Sequence, residues 1–177
     1  MQNEDFSHFI PHMLAYVGIF LYLCALNCIF FMHRTDVPYN VKEEYDLKNV
    51  EGEYCYKAVS YHRNGTNGKA RWTITVDEEI GLFVDAIMED TIIGTNGWML
   101  LIRDGQRIKV GVTANHEDSY IGRFRRSTDV EWHGYPGNYR GDVGDIPPGK
   151  VLQNWANNLY IRKSDILRIQ TQKPCNL

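Results

Sequence analysis

The pattern of apolar and polar positions divides this chain in two. From Met13 to Met32 (MLAYVGIFLYLCALNCIFFM) there is no charged residue, and Asn27 is the one strongly polar side chain. Twenty residues at about 1.5 Å per residue match the ~30 Å hydrocarbon core of a bilayer. The run is apolar on every face, whereas a helix packed on a domain core shows one stripe. It is therefore predicted as a single-pass transmembrane anchor within residues 1–34, with a buried core helix as the alternative. Its flank is acidic (Glu4, Asp5) and no small-x-small cleavage site follows it, so a retained signal anchor is expected rather than a cleaved leader. Arg34, Lys42 and Lys48 lie on the C-terminal side. That bias directs the following domain to the cytoplasm.

Beyond a polar linker, residues 35–49, the pattern shortens to strand length. Residues 53–62 (EYCYKAVSYH) are rich in aromatics, and residues 64–68 (NGTNG) are turn chemistry. In residues 69–77, Ala70, Trp72, Ile74 and Val76 alternate with Arg71, Thr73 and Thr75, the period of a half-buried strand. Residues 82–88 form another apolar stretch. Asp104-Gly105 separates two strand-like runs within residues 98–114, as a two-residue hairpin turn with both residues at positive φ requires. Residues 120–126 (YIGRFRR) read as the next strand. This succession predicts a mainly β (α+β) domain over residues 50–177, an antiparallel meander or small barrel with strands within 53–126. Residues 131–144 (EWHGYPGNYRGDVG) lack periodicity and read as a long loop. One or two short helices are expected in residues 145–171, with Asp145 and Ser164-Asp165 as caps and Asn157-Asn158 as a stop.

Composition adds little to the class but changes the picture of the surface. The net charge of −3 argues against general nucleic-acid binding. Residues 35–120 carry 9 Lys/Arg against 15 Asp/Glu, and residues 121–177 carry 9 against 5, so the back of the domain is basic. Cys55 and Cys175 do not amount to a disulfide framework and are read as free thiols.

His8 and His12 lie four apart, a spacing that can hold a metal on a helix face, but an interfacial location explains them more simply; no nucleotide loop or nucleophile elbow occurs, and no metal or cofactor is expected. The candidate ligand-binding set is basic and aromatic. Arg123 and Arg125 project from one face of the predicted strand, with Phe124 and Arg126 on the other. Arg103 and Arg107, on the hairpin, are expected to join them. Arginine forks suit phosphate and carboxylate oxygens. Trp132, His133 and Tyr135 complete the set, and the rings of Trp132, Tyr135 and Tyr139 offer surfaces for a base or sugar. The carboxylates of residues 77–79 and 89–90 read as solvated turns.

These features lead to a non-catalytic membrane-anchored protein whose β-rich domain binds a partner or serves as an accessory subunit of a membrane complex. One alternative is a membrane-anchored sensor or effector that binds an anionic ligand such as a nucleotide and oligomerises through its helix. A second is a hydrolase using His133 with nearby carboxylates. The expected partners are the lipid bilayer, a membrane protein or a second copy, and an anionic small molecule.

Overall fold

The structure, a computed structural model, describes residues 35–175 and 177. The predicted anchor lies outside the described residues. Among the described residues no helix is long and apolar enough to cross a membrane. They form a mixed α+β unit.

Its centre is a six-stranded sheet in the order β1-β2-β11-β10-β5-β4. The strands are β1 (Pro38–Asn40), β2 (Cys55–Lys57), β4 (Ile92–Ile93), β5 (Asn96–Leu100), β10 (Ile121–Arg126) and β11 (Glu131–Pro136). All neighbours pair antiparallel except β11 with β2, which is parallel. The order is therefore not a meander, and the sheet keeps two edges, β1 and β4, instead of closing into the expected barrel. Smaller ladders join β3 (Arg71–Trp72), β8 (Gly111–Val112) and β9 (Asp118–Ser119), and β6 (Ile102–Arg103) with β7 (Gln106–Arg107). The β6–β7 turn is the predicted one: Asp104 and Gly105 have φ of 52° and 73°. Its arms are shorter than expected, because β5 and β8 leave for other ladders.

A one-turn helix, α1 (Val41–Glu44), follows β1. Residues 35–49, read as linker, thus belong to the fold, and Val41 and Leu47 are buried. The main correction concerns residues 76–88, where strands were expected and a helix, α2 (Val76–Met88), stands. Alternation does hold as far as Ile74, with Trp72 and Ile74 buried. Thr75 then caps the helix: its hydroxyl accepts from Glu78 N, and the Glu78 carboxylate accepts from Thr75 N at 2.8 Å. This reciprocal box starts a helix at Thr-x-x-Glu. Leu82, Phe83, Ala86 and Ile87 then form its buried stripe.

Helix α2 covers one face of the sheet. The Phe83 ring lies 4.8, 5.3 and 5.5 Å from those of Tyr56, Phe124 and Trp132. Phe124 sits in register between Gly134 and Gly97 on its two neighbouring strands. A Cβ on Gly134 would lie 2.7 Å from Phe124 Cδ1, so the bare backbone makes room for the ring. The predicted loop 131–144 is for this reason half strand. In β11, Trp132, Gly134 and Pro136 face inward and alternate with Glu131, His133 and Tyr135. Glycine and proline at inward positions hide the period from a hydropathy reading.

Helices α3 (Gly149–Asn157) and α4 (Lys163–Gln170) bury Val151, Leu152, Trp155 and Ile169 in a second core with Trp98, Leu100 and Ile121. Helix α3 ends at Asn157, as the Asn-Asn stop implied. Asp145 does not cap it; Pro148 occupies that position. In α4, Asp165 is the third helical residue and accepts from Arg162 N.

Candidate functional site

The two faces of β10 and β11 separate the predicted site residues. Direct cross-strand pairs are Arg123 with Tyr135 and Arg125 with His133. Side chains directly opposite in a ladder share a face, so these four stand together; the strand period implied this for Arg123 and Arg125, whereas His133 and Tyr135 were expected in a loop. Trp132 faces the other way and is 2% exposed in the α2 core, which removes it as a stacking surface. Arg103 and Arg107 do not join the group. They lie on β6 and β7, whereas the neighbours of β10 are β5 and β11. Arg103 pairs with Glu78 at 2.5 Å, and Arg107 donates to the Tyr160 carbonyl at 2.7 Å.

Arg123 and Arg125 have opposite roles. Arg123 is 2% exposed. Its guanidinium donates to the carbonyls of Gly144 (3.2 Å), Gly97 (3.3 Å) and Phe124, and to Asn96 Oδ1 (2.6 Å). It stacks over Trp98 at 4.2 Å and lies 3.6 Å from the Asp145 carboxylate. All its chemistry is spent inside the protein. Arg125 is exposed and stands 5.7 Å over the Tyr135 ring. Among the described residues, no carboxylate forms an ion pair with it.

Arg125, His133 and Tyr135 form one wall of an open cleft of about 490 Å³. Residues 61–70, which also line the cleft, form a segment pinned by buried electrostatics. Arg63 forms an ion pair with Glu79 of α2 and donates to the carbonyls of Ile74 (3.0 Å) and Thr75 (3.1 Å). Tyr56 donates its hydroxyl to the same carboxylate at 2.6 Å. Glu79, expected in a solvated turn, is instead wholly buried, and burial raises its pKa. This clamp holds the 3-10 turn Ser60–His62. His62 stacks on Tyr135 at 5.4 Å with 26° between the planes, and Tyr61 lies 4.6 Å from His62. Lys69 Nζ stands 5.8 Å from the Tyr61 ring.

Both histidines are anchored through Nδ1. His62 Nδ1 is 2.7 Å from the Ala70 carbonyl, and His133 Nδ1 is 2.6 Å from Ser127 Oγ. Burial pulls the His62 pKa down to about 4, with the His133 and Lys69 charges acting in the same direction. Burial, then the Arg125 charge, lowers that of His133. Both rings are neutral at pH 7. The carboxylates expected to assist His133 are engaged elsewhere. Asp145 accepts from the Tyr135 hydroxyl (2.7 Å) and Asn138 N (2.8 Å), and Asp142 accepts from Gly144 N (2.7 Å). Burial, followed by the Asp145 charge, raises the Tyr135 pKa well above its usual value, so the phenol stays protonated.

Tyr61, His62 and Lys69 had no place in the sequence-derived set. The available signal was the turn-rich segment with a histidine and a lysine. Nothing in it announces that a parallel β2–β11 pairing brings that segment beside β11. Among the described residues, no group of three or more His, Cys, Asp and Glu side chains is placed to hold a metal ion. The chain matches no family model, and comparison with curated proteins and with solved structures gave no match.

Proposed function

We propose that the described domain is a binding module that takes an anionic small molecule in the cleft lined by β11 and residues 61–70. The observation that carries this reading is Arg125, an exposed guanidinium without an ion-pair partner among the described residues, held over Tyr135. The local charge supports it. Arg123 matches Asp145 at 3.6 Å, which leaves Lys69 and Arg125 against the single carboxylate of Asp142 along the cleft. A cleft of about 490 Å³ falls in the range of small-ligand sites. Neutral histidines add polar contacts without adding charge. The apolar run 13–32 supports a membrane-anchored sensor with this domain in the cytoplasm, because its length and composition match a bilayer span. A second reading, an accessory subunit docking on a partner, draws on Leu159 and Leu167, which are 87% and 67% exposed in the C-terminal helical region.

The test is titration of the full-length chain in detergent with methyl phosphate, followed by calorimetry and histidine NMR. Saturable binding is expected, and Arg125→Ala weakens it at least about tenfold, the worth of a charge-assisted hydrogen bond. Lys69→Ala weakens it less, and Arg103→Ala leaves it unchanged. Absence of saturable binding, or full affinity in Arg125→Ala, would refute the reading.

A further inference from the structure

The hydrogen-bonding polarity of the cleft narrows its ligand, and the argument rests on the anion-binding reading above. A backbone carbonyl carries no hydrogen, so the 2.7 Å contact between His62 Nδ1 and the Ala70 oxygen requires Nδ1 to be the donor. A neutral imidazole has one N–H, so Nε2 is left as a lone pair. Burial keeps the ring in this neutral form down to about pH 4. One face of the ring stacks on Tyr135 and Tyr61 packs beside it, so the edge bearing Nε2 is what the ring offers a ligand. Among the described residues, none donates a hydrogen bond to Nε2.

Beside the Asp142 carboxylate, the cleft therefore presents His62 Nε2 as an uncharged acceptor among donors. Arg125 and Lys69 have only N–H groups to offer. A ligand that satisfies all three brings an anionic oxygen for the cations and a donor for His62. An ammonium donor would meet two positive side chains against the one carboxylate of Asp142 and be repelled on balance. A hydroxyl carries no such penalty. The cleft volume of about 490 Å³ also exceeds the need of a bare oxyanion and leaves room for a polyol attached to it.

We infer that the cleft takes a phosphate ester bearing a hydroxyl close to its anionic group, as in a sugar or polyol phosphate, with Arg125 on the phosphate and His62 Nε2 accepting from the hydroxyl. His62 is the specificity-determining residue: it selects the hydroxyl, while Arg125 and Lys69 supply affinity for any phosphate ester.

The experiment compares glycerol 3-phosphate with propyl phosphate, which share charge and chain length and differ in two hydroxyls. Full-length protein in detergent is titrated with each at pH 7. Wild type is expected to bind glycerol 3-phosphate about tenfold more tightly, the value of one hydrogen bond to the imidazole lone pair. His62→Phe keeps the stacked ring, and in it the preference falls to about one while propyl phosphate affinity is retained. Nitrogen-15 spectra of the wild-type protein give a readout independent of the variant's folding. Nε2 of His62 shows the shift of an unprotonated nitrogen, which glycerol 3-phosphate moves and propyl phosphate does not. Equal affinity for the two esters in wild type, or a preference that survives His62→Phe, overturns the inference while leaving anion binding intact. Failure of both esters to bind removes the underlying reading as well. Displacement of glycerol 3-phosphate by phosphatidylglycerol vesicles identifies a lipid headgroup as the source of the same chemistry, and no displacement identifies a free ester.

Discussion

Removing Arg123 and removing Arg125 are expected to have opposite consequences, although the two residues are neighbours on one strand face. Arg123 is buried and donates to three backbone carbonyls and to Asn96, while its guanidinium covers Trp98. Arg123→Ala strips those acceptors of their donor, empties the space over the indole and leaves Asp145 without its countercharge. Breaking a buried pair by removing one partner costs about 3–5 kcal/mol. A domain of this size holds roughly 5–15 kcal/mol in total, so the variant should lose about a fifth or more of its stability. Arg123→Lys keeps the charge but not the fork and should fall between the two. Arg125→Ala removes an exposed side chain with no ion pair and should stay within about 0.5 kcal/mol of wild type. Urea denaturation of the three variants, followed by tryptophan fluorescence, measures all of this. The comparison also separates binding from folding, since loss of binding in Arg125→Ala then occurs in an intact fold. An Arg123→Ala protein within 1 kcal/mol of wild type would refute the structural role assigned to that guanidinium.

Acid should destabilise the domain through His62. The unfolded chain takes up a proton near pH 6.5 that the folded ring refuses until about pH 4. Stability is therefore full above the upper value and falls as pH drops through that window, and the difference between wild type and His62→Phe across a pH series of urea melts isolates this contribution. A parallel pH dependence in the two proteins would contradict it. Gly134→Ala should cost about 1–3 kcal/mol in the same assay, because the new Cβ would lie 2.5 Å from Tyr56 Oη and 2.7 Å from Phe124 Cδ1 in a packed core. Arg103→Ala breaks an ion pair whose side chains are 56% and 32% exposed, and a thermal melt should shift by no more than an exposed pair's worth, up to about 1 kcal/mol.

Local chemistry was the legible part of this fold. The Asp104-Gly105 turn, β10, the stop at Asn157-Asn158 and the first C-terminal helix follow from residue types acting on their own backbone, whereas residues 164–169 suited a strand nearly as well as the helix observed. Helix α2 was also written locally, in the Thr75-x-x-Glu78 box, but the alternation running into it from Ala70 carried the strand reading past its true end. Both signals are real. The strand period governs residues up to Ile74, and the cap takes over at Thr75. The β11 strand shows the reverse failure. Its inward residues are Trp132, Gly134 and Pro136, two of which score as breakers although Gly134 leaves space for Phe124 and Pro136 fills the space over Gly111.

The candidate site was legible only along β10, where Arg123 and Arg125 share a face by the two-residue period. That His133 and Tyr135 join them follows from the β10–β11 register, which the loop reading of residues 131–144 did not contain. Which arginine is free is a different kind of fact. It depends on Asn96 in β5, on the Gly144 carbonyl and on Asp145 after β11, three contacts made by chain crossing between elements. The 61–70 segment is still less local. His62 reaches Tyr135 because Arg63 reaches Glu79, a carboxylate that looks solvated beside Asp77 and Glu78 until the helix period turns it inward. A buried ion pair of this kind adds little net stability against an apolar replacement. Its clearest consequence here is positional: it fixes the turn that stacks the His62 imidazole on Tyr135, in the cleft that Arg125 also lines, and with it the donor-acceptor pattern a ligand has to match.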